Sequence, residues 1–273
     1  MSGERMSWEA AVVWLRNQPD QAELVRACFY DDPLTEAAQR YCDSGEWRAL
    51  KRLLPRRPGR ALDLGAGRGI TAQALARAGW MTTALEPDPS AIVGANAIRQ
   101  LVAATGVQIS VVEQRAESLP FRDGTFDLVH CRAVLHHARD LRQLCREVAR
   151  VLVPGGTFIA TREHVISRRE DLPRFLAEHP LHRLYGGENA YLLEEYTDAI
   201  RSAGLKICRV LNPFQSDVNL FPDTMHDLKQ RIAARLGLPV ARLIPNTVVG
   251  WLGARSDQPG RHYTFVLRKK SNA

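Results

Sequence analysis

Lysine is scarce in this chain. In 273 residues it occurs only at positions 51, 206, 229, 269 and 270, so nearly all the basic charge is arginine. The net charge of +7 admits nucleic acid or an anionic membrane surface as a partner. Most arginines, however, alternate with acids, as in Arg168-Arg169-Glu170-Asp171. The one dense cluster is Lys51-Arg52, Arg56-Arg57 and Arg60, so nucleic acid is not expected as a partner. Long apolar runs are missing too. None approaches the roughly 20 residues that span a bilayer, and no membrane span is expected. Met1 to Ser7 lack the apolar core of a signal peptide. Five cysteines (Cys28, Cys42, Cys131, Cys145, Cys208) are scattered, with no C-x-x-C. That pattern argues against a disulfide framework or a zinc site and for reduced thiols in a cytoplasmic protein. Internal repeats and low-complexity segments are also absent. A hydrophobic content of 45% suffices for a sizeable core, in one large domain or one domain with a lid.

What is present is organised around Arg60-Ala-Leu-Asp-Leu-Gly-Ala-Gly-Arg-Gly69. Ala61 to Leu64 read as a buried strand. Gly65, Gly67 and Gly69 follow at alternate positions, and Ile70 to Ala78 continue in helix formers. Strand, glycine turn and helix start form half of a nucleotide-binding unit. Glycines allow the turn and let a ligand lie against bare peptide, and the helix start offers free N–H groups. A dinucleotide fingerprint would place its last glycine where Ile70 stands. Asp63, on the strand before the turn, suits a cation better than a pyrophosphate. Met81 to Glu86 reads as a second strand ending in a carboxylate, able to accept both ribose hydroxyls. A plain glycine turn and an NAD site are the alternative readings of the loop.

Around this centre, residues 8–53 read as helices, broken at Asp31-Asp32-Pro33. Asp32 is placed to cap a helix starting at Pro33. Residues 54–59 read as a linker. From Arg60 to about Arg162 strands and helices alternate as in a parallel sheet. Strands are predicted at 60–64, 81–86, 107–113, 126–131, 157–161, 205–211 and 261–268. Helices are predicted at 69–79, from Pro87–Ser90 to Thr105, at 141–152, 191–203 and 224–236. The resulting fold class is α/β: a Rossmann-like, seven-stranded, mostly parallel sheet with helices on both faces. An N-terminal helical cap segment (1–58) precedes a ligand-binding domain (59–273). Insertions at about 162–190 and 212–260 interrupt that domain. Long connections at the C-terminal ends of parallel strands lie over the ligand crevice, so both insertions read as a substrate cap.

Asp63, Gly65, Gly67, Gly69 and Glu86 together resemble the class I S-adenosylmethionine-dependent methyltransferases. The likeness continues in Gln114 to Phe121, in Phe126 to His137 and in Leu144 to Thr157, and covers about 60–162. The last of these resembles members that act mainly on small molecules, of the UbiE or type 11 kind. The resemblance implies S-adenosylmethionine as cofactor, held by Asp63, Gly65, Ala66, Gly67, Gly69, Glu86 and Pro87. Ala116 and Glu117 would serve the adenine, and Cys131 and Arg132 face the methyl group. Arg115 stands where the family more often has Asp. It also implies a cap over the cofactor from the N-terminal helices, where Phe29-Tyr30-Asp31-Asp32 is an aromatic and acidic patch. A plain helix connection is the other reading of that patch.

Methyl transfer from a sulfonium is an in-line displacement, so the protein chiefly aligns acceptor and methyl carbon. A hydroxyl acceptor benefits from a general base. The base candidates are His136 and His137, after the fourth strand, and His164, just past the fifth. Helical neighbours point about 100° apart, so one of His136 and His137 is expected to face the crevice. The pair is no ready metal site. His179 and His182 have i,i+3 spacing but no third ligand, so no metal is expected. Tyr30, Tyr185, Asn189 and Tyr191 are candidate acceptor-binding groups, with ordinary loop hydrogen bonds as the plain reading. His130-Cys-Arg-Ala133 stands where methyltransferases of adenine or glutamine amino groups carry Asn/Asp-Pro-Pro-Tyr/Phe, which argues against those acceptors. The expected function is methyl transfer to a small or medium-sized molecule, preferably at oxygen, such as a natural product, lipid precursor or sugar derivative. The alternatives are an RNA or tRNA methyltransferase and a non-catalytic cofactor-binding protein.

Overall fold

The structure, a computed structural model, describes residues 6–237 and 240–271. Its strands are β1 (Arg60–Leu64), β2 (Met81–Leu85), β3 (Ile109–Val112), β4 (Phe126–Arg132), β5 (Leu152–Ile166), β6 (Tyr191–Leu192), β7 (Leu205–Leu211) and β8 (Arg261–Lys269). They form one sheet of order β3-β2-β1-β4-β5-β8-β7, with β6 paired to β5 off this path. β1 to β6 pair in parallel, and β8 runs antiparallel between β5 and β7. The short β6 makes eight strands instead of the predicted seven. Its two residues lie where the sequence pattern reads as the start of a helix.

Alternation along the strands gives each face its own core. Leu62, Leu64, Val129, Phe158 and Leu267 face the helices Leu141–Val151 and Leu193–Ser202. Ala61, Leu128, Ile159 and Val266 face the other way, toward Phe29, Ala37, Tyr41, Trp47 and Leu50 of the N-terminal segment. The helices Leu34–Cys42 and Gly45–Lys51 therefore share a core with the sheet. Each fully buried Leu or Phe contributes about 1.5–3 kcal/mol, which anchors that segment firmly. The earlier helices, Trp8–Arg16 and Ala22–Ala27, pack instead against Leu181, Leu184 and Tyr185 of the first insertion.

Several local expectations are corrected. The helix after β2 starts at Ala95, not at Pro87–Ser90. There Ser90 turns its hydroxyl to the N–H groups of Ile92 and Val93 and holds a tight turn. Pro33 is the N-cap of the next helix, and the Asp32 carboxylate goes to Arg16 and Arg68 instead.

β5 runs on to Ile166, so the first residues of the expected 162–190 insertion are strand. Against β8 its register slips between Ala160 and Glu163. Arg162 sits at φ 59° within that slip. A bulge re-aims the side chains that follow it. It leaves Glu163 wholly buried and His164 nearly so.

Candidate functional site

The strand order reverses between β1 and β4, and a crevice at the C-terminal ends of such strands is where open α/β sheets hold ligands. Here it is a cavity of about 1060 Å³, enough for two small molecules side by side. The glycine loop forms its floor. Gly65 and Gly67 have φ of 64° and 53°. A Cβ on Gly65 would meet Val134 Cγ2 at 2.7 Å, so only glycine fits there.

Two carboxylates flank the loop. Asp63, 2% exposed, receives His130 at Oδ1 (2.9 Å to Nδ1), while Oδ2 has no partner among the described residues. Glu86 accepts the N–H groups of Gly67 (2.8 Å) and Asp88 (3.0 Å). Burial outweighs those two hydrogen bonds and pushes its pKa up to about 7. Ala116, Glu117 and Pro87 also line this end. Glu117 accepts the Arg139 N–H at 3.2 Å.

The other end is rich in histidine. Both His136 and His137 line it, their rings 4.3 Å apart. The sequence reading allowed one to face in. The single 3-10 turn Leu135–His137 lets the cavity wrap around it. Glu163 accepts the backbone N–H groups of Val134 and His136, both at 3.1 Å, and lies 2.8 Å from Nδ1 of His136. Glu188 Oε2 is 3.5 Å from Nε2 of the same ring. Burial opposes a charge on His136, but the two carboxylates prevail and raise its pKa to about 9. Burial, then the charge on His136, lowers the pKa of His137 and lowers that of His164 further. Glu188 is held well below the usual carboxylate range because His136 and its neighbours outweigh its burial.

Arginines close the site. Arg132 is paired with the buried Glu46 through two hydrogen bonds of 2.7 and 3.1 Å. Arg162 has no carboxylate partner among the described residues. Its Nη1 donates to the carbonyls of Val218 (3.3 Å) and Phe221 (3.0 Å), and burial lowers its pKa to about 10. Arg68, on the glycine loop, donates to the carbonyls of Phe29 and Asp31, each at 2.8 Å, and pairs with Asp32. It thereby pins the N-terminal segment over the cavity, whose lining includes Trp8 and Tyr30. Trp8 Nε1 donates to the Tyr30 hydroxyl at 3.0 Å.

Most of the expected residues meet here: Asp63, Gly65, Ala66, Gly67, Glu86, Pro87, Ala116, Glu117, Arg132, His136, His137, His164, Tyr30 and Tyr185. Four do not line the cavity. Gly69 starts the helix at φ 81°, packed against Ile98. Cys131 is fully buried, its Sγ 3.8 Å from Glu163. Tyr191 donates its hydroxyl to the Ala138 carbonyl at 2.9 Å, and its neighbour Asn189 is half-buried outside the lining. Among its described residues, the 212–260 insertion lines the cavity with Phe221, Pro222 and Gly260. Its helices Met225–Leu236 and Asn246–Ala254 build a small cluster of their own, and Trp251 is exposed.

Glu163, Glu188, Arg68, Arg162 and His262 are not singled out as site residues by the sequence, and His179 enters there only as a metal ligand lacking a third partner. For Arg68 a signal existed, a long cation inside a glycine loop. The rest lie on elements whose meeting no spacing announces.

The site fits the cofactor implied by the sequence. Asp63 Oδ2 is a buried acceptor awaiting a donor, and the glycine loop beside it offers bare backbone up to Glu86.

Residues 62–160 match the family described as Methyltransferase domain. An uncharacterised methyltransferase, YcgJ of Bacillus subtilis, is 39% identical over 108 residues, 37% of this chain and 39% of that protein. A ubiquinone biosynthesis O-methyltransferase of Ralstonia nicotianae is 30% identical over 174 residues, 60% of this chain and 72% of the relative. The chain spans about half the length of most curated relatives it matches. Among solved structures, the [4+2]-cyclase SpnF shares the fold, with a TM-score of 0.57 at 21% identity over 87% of this chain and 82% of that one. The family's methyl donor is S-adenosylmethionine, and no described helix is long and apolar enough to cross a membrane. By its sequence match and its fold, this chain belongs to the class I S-adenosylmethionine-dependent methyltransferases.

Proposed function

We propose that this chain methylates a hydroxyl oxygen of a small molecule, with S-adenosylmethionine bound between Asp63 and Glu86. The observation that carries the reading is a buried carboxylate in the cavity's lining, Asp63, whose Oδ2 has no partner among the described residues, with Glu86 lining the same cavity. When bound, the cofactor supplies a methyl group on a positively charged sulfur. Asp63 takes its ammonium, Glu86 accepts the ribose hydroxyls, and Ala116 and Glu117 border the adenine. Pinned by Arg68, the N-terminal segment shuts out water and so strengthens these contacts.

Beyond the glycine loop the acceptor lies among histidines and Arg162. An acceptor there shares about 1060 Å³ with the cofactor, which favours a small molecule over a macromolecule. Arg162, without a carboxylate partner among the described residues, favours an acceptor that also carries an anionic group. His137 is the residue placed to take the acceptor's proton. Its Nδ1–H is tied to the Gly187 carbonyl at 2.9 Å, which leaves Nε2 as the acceptor nitrogen. Its side chain is 38% exposed, so the proton has a way out. His164 is enclosed and has none.

Isothermal titration with S-adenosylmethionine and S-adenosylhomocysteine tests the first half. Binding of both is expected, with severe weakening in Gly67→Val and Glu86→Ala. Absence of binding, or wild-type affinity in both variants, refutes it. Incubating the protein and methyl-labelled cofactor with cell extract, then identifying the product by mass, tests the second half. Label on nitrogen, carbon or a macromolecule would replace the hydroxyl reading.

A further inference from the structure

The histidine end of the cavity supports a second inference, whose metal ligands stand on their own geometry and of which only the acceptor's place in the shell rests on the proposed methyl transfer. One ligand atom each of His136, His164 and Glu188 lies within 4.8 Å of the other two, and all three residues are buried. They arrive from three places: the turn after β4, β5 beyond its bulge, and the loop before β6. Each is already held from behind. Nδ1 of His136 lies 2.8 Å from Glu163. His164 donates its Nδ1–H to the Gly260 carbonyl at 2.8 Å. Tyr185 donates its hydroxyl to Glu188 Oε1 at 2.8 Å. Facing one another in front are Nε2 on each imidazole and Oε2 on the carboxylate, of which His136 Nε2 and Glu188 Oε2 form an ion pair in the absence of a metal.

This is how metal ligands are typically supported. A ligating histidine almost always donates its other N–H to a carboxylate or a backbone carbonyl, and ligating carboxylates are hydrogen-bonded in turn. His136 Nε2 and Glu188 Oε2 are 3.5 Å apart. The edge of a tetrahedron with bonds of about 2.0–2.1 Å is about 3.3 Å. A plain hydrogen-bond network accounts for these groups less well, because Nε2 of His164 has no partner among the described residues. The rings of His179 and His262, 5.3 and 4.9 Å from that of His164, border the same space. Two imidazoles and one carboxylate, without thiolate, suit a first-row divalent ion. Magnesium and calcium prefer all-oxygen shells.

We propose that His136, His164 and Glu188 bind one divalent first-row transition ion, such as Zn²⁺, through Nε2, Nε2 and Oε2. Three protein ligands leave at least one coordination position open. That position faces the cavity, where water or a hydroxyl or carboxylate oxygen of the acceptor completes the shell.

The test uses the tag-free full chain, stripped with a chelator and re-equilibrated with Zn²⁺ or Co²⁺. One equivalent of metal by elemental mass spectrometry is expected. The Co²⁺ form should show visible ligand-field bands without thiolate charge transfer. His164→Ala and Glu188→Gln should each weaken Zn²⁺ binding by at least about tenfold. Tyr185→Phe, which removes only the hydroxyl behind Glu188, should weaken it by about ten- to a hundredfold. Circular dichroism separates loss of the site from loss of the fold. If a ligand variant does not fold, Tyr185→Phe and the wild-type Co²⁺ spectrum decide. Substoichiometric metal in the wild-type chain, or unchanged Zn²⁺ affinity in every folded variant, overturns the site. Titration with S-adenosylhomocysteine without added metal keeps this result separate from the cofactor reading.

Discussion

The carboxylate of Glu163 lies 2.8 Å from Nδ1 of His136 and also accepts that residue's backbone N–H at 3.1 Å. One buried side chain on β5 thus sets both the turn after β4 and the ring that the turn carries. With Val134 as a third donor, Glu163→Ala strands the buried backbone N–H of His136 and the half-buried one of Val134. A buried one costs roughly 1–3 kcal/mol and a half-buried one less. Chemical denaturation should therefore show a loss of about 2–4 kcal/mol. Glu163→Gln keeps an acceptor oxygen and should lose clearly less. Equal losses in the two variants would mean that the backbone bonds do not hold the turn.

Asp63 divides its labour between its two oxygens. Oδ1 meets His130 at 2.9 Å, and Oδ2 has no partner among the described residues. Asp63→Asn keeps one oxygen for His130 but takes the negative charge from the cofactor's ammonium. A hydrogen bond to a charged group contributes about 1.5–3 kcal/mol, so affinity should fall by roughly ten- to a hundredfold. The melting temperature should change little, because the amide that replaces Oδ2 is equally unpartnered while the cost of burying a charge is relieved. Titration calorimetry and thermal unfolding, run on the same samples, check both. Unchanged affinity would move the ammonium elsewhere.

Glu86 gives a pH dependence of defined sign. Burial raises its folded pKa from an ordinary 4.5 to about 7. The folded state therefore holds this proton more tightly than the unfolded chain does. Its contribution to stability is fully present below pH 4.5 and is lost as pH rises through about 7. Cofactor affinity runs the opposite way. Accepting both ribose hydroxyls needs the ionised form, so binding should weaken as pH falls through about 7. Dissociation constants measured from about pH 6 to pH 8 should show this slope in the wild type, and Glu86→Gln should flatten it. The same slope in both proteins would assign the effect to another group.

The cofactor end was legible in the sequence because it is local. Asp63, the glycines and Glu86 sit on one strand, one turn and the end of the adjacent strand. Binary pattern and glycine spacing fix all of that within 27 residues. The boundaries of β1 and β7, and the start of β4, were legible for the same reason. The acceptor end was not. Glu163 and His164 owe their directions to a bulge in β5, and a bulge leaves no mark in the period of an apolar run. Glu188 joins His136 across a long connection whose course depends on tertiary packing. Cys131 and Tyr191 resemble site residues in sequence, yet one is buried beneath the sheet's end and the other is spent on the Ala138 carbonyl. Asn189, beside Tyr191, follows the same course away from the lining.

Arg68 is where the local and the distant meet. It belongs to the glycine loop, yet its guanidinium holds the carbonyls of Phe29 and Asp31 and the carboxylate of Asp32. Arg16 grips the same stretch from the other side, through the Tyr30 carbonyl at 2.6 Å and Asp32 at 2.6 Å. Arg68→Ala removes the only one of these two clamps that is rooted in the cofactor loop. The sheet should remain folded, because Leu34–Cys42 and Gly45–Lys51 keep their own contacts with it. Residues 8–28 should detach more often, exposing the 3-10 turn Pro19–Gln21 to limited proteolysis and letting the cofactor leave faster. Stopped-flow dissociation of S-adenosylhomocysteine should speed up by about tenfold or more, with little change in association, since lost contacts act mainly on the off-rate. An unchanged off-rate with an intact protease pattern would mean that the N-terminal segment covers the cavity without help from the loop.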